Sequence, residues 1–318
     1  MLLLRELLRL HRLLWPKVLV QGLCALAHLL WLQLLVHWLH LGFTGICLAS
    51  LISSLSGFLV LSALLCTAHA VRPASLLPCS RKDLAWARVK EVLASGVPGA
   101  LWSFLESGPF ALLPLVLVAL GPLPLAGHAL LAALAGLIYV LPFGCVSAAP
   151  QLISSAVVSG EPGLAKSFLA ESLVAATGAS ALGVGLCFTL SSRLSALLTP
   201  DPELGSLVEA CLGFMLLSLV FDSVHAGLQA GLKGLEKHKA AALSSLLWAW
   251  CFFAPLGGGV AVFVARELWA VWAFLAATNF CLALTAFLVL ARYDWAKETQ
   301  LLGSLRLNEE PLLPPAPL

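Results

Sequence analysis

Charge is what this sequence has least of. Only 11% of its 318 residues are Asp, Glu, Lys or Arg, less than half the roughly 25% of a soluble globular domain. Hydrophobic residues make up 60% and the mean hydropathy is +0.98, which excludes a water-soluble enzyme. A net charge of +2 is too small for a nucleic-acid binder. Zinc-type Cys/His spacings and CxxC pairs are missing. Eight of the nine cysteines lie inside apolar blocks, and only Cys79 sits in a polar loop; they read as small hydrophobes, with no disulfide framework and no metal site. No GxSxG, HExxH or P-loop occurs, nor a pair of intramembrane aspartates of the protease kind, so neither an enzyme nor a cofactor is expected. The Gly257-Gly258-Gly259 run lies within an apolar block, where close helix packing or a local break explains it better than phosphate binding.

What is present is apolar sequence in long blocks cut by short polar clusters, a pattern that disorder, collagen and coiled coils do not share. A spanning helix needs about 20 mostly apolar residues. Eight blocks qualify, near 17–39, 43–66, 92–120, 124–149, 167–191, 205–231, 240–264 and 268–291. Strong breakers separate them: Gly42 to Gly45, the Gly121-Pro122-Leu123-Pro124 turn and Thr199-Pro200-Asp201-Pro202. With a cytoplasmic N-terminus and alternating loops, sixteen of the eighteen Lys and Arg residues fall inside, and only Arg193 and Arg266 fall outside. That asymmetry satisfies the positive-inside rule and predicts an all-α polytopic membrane protein with both termini in the cytoplasm. Trp15, Trp38, Trp269, Trp272 and Trp295 tend toward span ends, as an aromatic belt requires.

Residues 1–16 are a poor span, because Arg5, Glu6, Arg9, His11 and Arg12 interrupt their Leu pattern. They lack the h-region and cleavage site of a signal peptide, and read either as an interfacial amphipathic helix or as the cytoplasmic end of a longer helix. The tail from Arg306 is Pro-rich and is expected to be disordered.

An acid inside a span costs at least about 2.5–3.5 kcal/mol and is a functional candidate by default. Glu106 lies mid-span, with Pro98 and Gly99 before it and Gly108 and Pro109 after it. Each proline removes a backbone hydrogen bond and favours a kink, and freed carbonyls are tolerated only against protein or a water-filled cavity. Glu106 therefore reads as a cavity-wall carboxylate, or else as a protonated acid bonded to a neighbouring helix. Asp222 has His225 three residues on, which puts both on one helix face; a proton relay and an Asp–His bond that ties helices together are both open. His28 and His128 read as interhelical hydrogen-bonding residues. Glu91, Glu171, Glu209 and Glu267 sit near span ends, within reach of water.

These motifs resemble, in order and spacing, multidrug and toxin extrusion (MATE) transporters of the vertebrate branch. The stretch 39–53 is similar to that family's junction between helices five and six. Pro98 followed by Glu106 resembles its seventh helix, the run from Tyr139 through Pro142 and Gly144 to Ala149 the end of its eighth, Asp222 its tenth-helix acid, and Lys233-Gly234 the Arg-Gly motif that follows. The resemblance covers about residues 1–300. It implies a MATE-like helical bundle whose complete C-terminal lobe, 92–291, carries six helices. Residues 1–66 would be the remnant of a truncated N-terminal lobe, 67–91 a basic cytoplasmic linker and 292–318 a cytoplasmic tail. It also implies a multi-pass protein of the plasma membrane that exchanges organic cations or drugs for protons. Glu106 and Asp222 would be the coupling acids, Tyr139 and His225 would line the substrate cavity, and Pro98, Pro109, Pro142 and Gly144 would serve kinking and gating. Departures stand beside these matches. The second acid of the family's seventh helix falls on Ala111, its arginine after the eighth on Leu152, its Gly-Asn on Ser154-Ser155, and its second glycine after the Arg-Gly motif on Glu236. A non-transporting fragment, or a regulatory partner of a full-length paralogue, is the alternative they leave open.

Overall fold

The computed structural model describes residues 14–67 and 86–297. The readings of residues 1–16, the basic linker and the tail fall wholly or mostly outside the described residues. All regular structure among the described residues is helical. The helices are α1 (Leu14–Leu32), α2 (Gly42–Thr67), α3 (Trp86–Leu117), α4 (Pro122–Val146) and α5 (Ala149–Val158). They continue with α6 (Pro162–Thr189), α7 (Ser191–Leu198), α8 (Pro202–Gly234), α9 (His238–Ser245) and α10 (Leu268–Ala291). α1 runs on into π-helix over Gln33–Trp38, and α9 into a long π segment, Leu246–Ala265. Eight helical stretches are long and apolar enough to cross a membrane, from Val18–Trp38 through Ala100–Leu120 to Leu268–Ala291. Their number and order are those the hydropathy blocks predict.

The sequence breakers act where local chemistry requires. Gly121 sits at φ 101°, a conformation that costs any residue with a Cβ, and Pro122 then opens α4, where its missing N–H has no helical partner to lose. Asp201 caps α8, its carboxylate accepting from the backbone N–H of Glu203 at 3.0 Å and of Leu204 at 3.4 Å, and Pro202 follows at the first turn.

The chain divides into two compact units, Met1–Leu93 and Ala94–Leu318. In the first, α1 and α2 form a helical hairpin. His28 Nδ1 lies 3.0 Å from Ser53 Oγ across it, the interhelical bond expected of that histidine.

In the second unit α8 is the central helix, packed against α10, α6 and α4. Leu131, Ile138, Met215, Leu219, Phe253 and Trp272 form one part of the core, and Ile153, Val157, Leu228, Leu232 and Leu290 form another. α8 meets α6 through Gly227 and Gly231. A Cβ built on either would stand 2.8 Å from Leu173 Cδ1 or Leu169 Cδ1 respectively, so the pair works as a small-xxx-small contact between membrane helices. Trp272, the fifth residue of α10, belongs to this core and is 4% exposed. Its ring packs 5.5 Å from that of His128.

α3 is one helix through both Pro98 and Pro109. Pro109 cannot donate to the carbonyl of Leu105. Trp250 of the π segment does so instead, its Nε1 donating to Leu105 O at 3.1 Å. Gly108 makes room for the indole, since a Cβ there would stand 2.9 Å from Trp250 Cζ2. Pro142 is buried four residues before the end of α4, and Gly144 is exposed with open space around its Cα.

Candidate functional site

Four of the predicted residues meet in one place. Glu106 of α3, Tyr139 of α4, and Asp222 and His225 of α8 line a cavity of about 420 Å³, together with Gln229 and Lys233. The α8 members follow one another at spacings of three, four and four residues, which is one helical face. Successive turns of a single helix thus carry an acid, an imidazole, an amide and an ammonium along the cavity wall. Aromatic rings supply the apolar part, with Phe110 and Phe143 beside Tyr139, whose ring is 6.1 Å from that of Phe143.

The two acids differ in their partners. Glu106 Oε2 is 3.9 Å from Lys233 Nζ, and both side chains are about one-third exposed, at 34% and 37%. Asp222 has neither hydrogen bond nor ion pair among the described residues, and His225, three residues on, does not bond to it. The Oε1 of Gln229 is buried and also without a partner. Lys233 Nζ lies 4.7 Å from the centroid of the Trp102 ring, one turn before Glu106 on α3. The Trp102 ring also packs against His238, with 5.2 Å between ring centroids.

A second cavity of about 310 Å³ shares Phe110, Asp222 and Asn279 with the first and extends to His128 and Trp272. Asp222 and Asn279 thus stand in the wall between two chambers. Asn279 is held by Ser218 of α8, its Nδ2 donating to the hydroxyl at 3.1 Å and to the carbonyl at 3.4 Å. His128 does not make the interhelical bond expected of it. It faces this chamber, and its Nδ1 is buried without a partner, as is Trp272 Nε1. Pro109, Pro142 and Gly144 do not line the first cavity, and nothing is described of the Pro98 side chain. Among the described residues no cluster of three or more His, Cys, Asp or Glu could hold a metal ion.

The places of Lys233, Gln229 and Asn279 in the cavity wall, and of Trp102 beside Lys233, are not among the sequence expectations. The first two were reachable, because the 222-225-229-233 period continues the Asp–His face. Asn279 and Trp102 carried no such signal, since their roles depend on which helices pack together.

The MatE family model matches residues 98–257. A probable multidrug resistance protein NorM from Geobacillus kaustophilus is 26% identical over 187 residues, covering 59% of this chain and 41% of that protein. The multidrug and toxin extrusion protein 2 of Oryctolagus cuniculus is 24% identical over 211 residues, 65% of this chain and 35% of that protein. The chain therefore spans about two fifths of the length of the curated relatives it matches. The crystal structure of the eukaryotic MATE transporter AtDTX14 superposes with a TM-score of 0.77 at 20% identity, over 95% of this chain and 67% of that one. An inward-facing MATE transporter of the MOP superfamily gives 0.69 at 15% identity, over 92% and 65%. At these identities the structural likeness speaks for the fold, while the family model covers half of the sequence. The cavity with its paired acids lies on helices within that matched stretch or just beyond it, and the chain is a multi-pass membrane protein belonging to the MATE family of multidrug efflux transporters.

Proposed function

We propose that this chain carries the ion-coupling site of an antiporter that exports organic cations in exchange for protons. One observation carries the reading: Glu106 and Asp222, far apart in sequence and each on a helix long and apolar enough to cross a membrane, line a single cavity. A carboxylate there is costly unless it is protonated or paired with a cation. Proton and organic cation then exclude each other at the same acids, and a cavity that opens to one side at a time couples their opposite movements. Tyr139 and Phe143 offer flat π faces against which a cationic ligand can stack. Pro109, Pro142 and Gly144 serve the bending of α3 and α4 that such alternation needs. Export from the cell assigns the protein to the plasma membrane, and the Lys and Arg asymmetry supports cytoplasmic termini. In proteoliposomes an imposed proton gradient is expected to drive uptake of tetraethylammonium, and Glu106→Gln is expected to abolish the response. Uptake driven equally well by a sodium gradient at uniform pH would overturn proton coupling.

A second reading is favoured by Ala111 and Leu152, which stand where the resemblance implies an acid and an arginine. In it the chain does not transport but binds a full-length relative. Cation transport by the purified chain alone would refute it.

A further inference from the structure

Lys233 brings a positive charge of the protein's own to the cation cavity. Its Nζ lies 3.9 Å from Glu106 Oε2 and 4.7 Å from the centre of the Trp102 ring. The pair is a third exposed, the class of ion pair that is weak and readily exchanged. The indole face provides a second resting place for an ammonium, so release from Glu106 does not strand it in an apolar setting. The other charged or titratable side chains that line the cavity are Asp222, His225 and Tyr139. Of the nearby groups, His238 packs on Trp102 and Lys237 lies over Tyr293 at 5.1 Å. Two carboxylates and one ammonium thus face the cavity, leaving one carboxylate, Asp222, without a counter-charge.

We propose that Lys233 is a tethered counter-cation that sets the charge of the ligand this cavity accepts, matching it to singly charged organic cations and discriminating against doubly charged ones. The inference rests on the cation-binding reading above and adds a residue that decides which cations enter. With Lys233 docked on Glu106, one unit of positive charge neutralises the cavity. A second quaternary head has to displace the ammonium to find a partner, and the ammonium then competes for the same oxygen. Removing the tether leaves both acids open, and a dication gains the carboxylate that the lysine held.

The test is the ratio of dissociation constants of tetraethylammonium and hexamethonium for the purified full chain in detergent. In Lys233→Gln that ratio is expected to move toward the dication on the order of tenfold, about one full charge contact at a partly screened site. Lys233→Arg keeps the tether and is expected to hold the original ratio. Glu106→Gln removes the docking acid and leaves the lysine untouched, so it is expected to weaken hexamethonium more than tetraethylammonium. This arm decides the matter if Lys233→Gln folds poorly. Tetraethylammonium binding with an unchanged ratio in Lys233→Gln and Glu106→Gln would overturn this inference alone. If the unsubstituted chain binds neither cation, the proposed function fails and the inference falls with it.

Discussion

Replacing Trp250 with Phe keeps a ring beside Gly108 and deletes the one donor that reaches Leu105 O at 3.1 Å. Pro109 supplies no N–H at that point of α3, so the carbonyl is left without a protein partner. An orphaned carbonyl costs about 1–3 kcal/mol, whereas interhelical hydrogen bonds in membrane proteins average about 0.6 and reach about 1.7 kcal/mol. The half-buried site falls between these, and Trp250→Phe is expected to lose about 1–1.5 kcal/mol, roughly a tenfold change in the unfolding equilibrium. Pro109→Ala restores a backbone N–H that can close the helical bond to Leu105, and in that background Trp250→Phe should cost under about 0.5 kcal/mol. The four proteins of this cycle are compared by reversible unfolding in mixed micelles of dodecyl maltoside and sodium dodecyl sulfate, with helicity read by circular dichroism. Equal losses in both backgrounds would show that the indole holds α3 by packing alone, and the account of the Gly108-Pro109 seat would be wrong.

Further expectations follow from individual contacts. Gly231→Leu drives a side chain into Leu169 and is expected to cost about 1–3 kcal/mol of overpacking, read by the same micelle titration; no change would mean that α6 and α8 do not approach closely through this residue. Asn279→Leu removes the bonds to Ser218 and is expected to cost about 0.6–1.7 kcal/mol, with Ser218→Ala adding little on top. Gly121→Ala forces a Cβ into φ 101° and is expected to lower stability by about 1–3 kcal/mol. Asp222→Asn is expected to abolish tetraethylammonium accumulation in proteoliposomes while leaving the melting profile near that of the parent, because Asp222 has no described bond to lose; a wild-type transport rate would remove it from the proposed coupling site.

Much of the architecture was legible before any coordinate, because bilayer thickness forces apolar runs of a set length and loop charge sets their direction. Glu106 and Asp222 were legible for a related reason: an acid in such a run stands out against its cost. That they share a cavity was not derivable from spacing, since residues 106 and 222 belong to different helices and come to one cavity only through the tertiary arrangement; the family resemblance is what joins them. The role of Pro109 was half legible. Proline announces a freed carbonyl, but the group that satisfies it comes from 145 positions away from Leu105 and leaves no local trace. His128 lacks the interhelical bond expected of it because the partner of a lone span histidine depends on which helices face it, and here the ring faces a chamber beside Trp272. Lys233 satisfies the cytoplasmic charge asymmetry and the Asp222 helix face at once, and the first role hides the second in the sequence.

α8 also behaves as a ruler. Asp222 and Lys233 are eleven residues apart on one continuous helix, so about 16 Å of rigid axis separates their levels. Glu106 belongs to α3 and meets that scale through the 3.9 Å reach to Lys233. Sliding α3 by a single helical turn, about 5.4 Å, would move Glu106 from the ammonium's mark to another graduation, while the interval between Asp222 and Lys233 stayed constant. The ion pair is therefore a register mark. Whether it is closed or open reports how α3 is set against α8, and a probe at these two side chains would read the motion of the helix from inside the cavity.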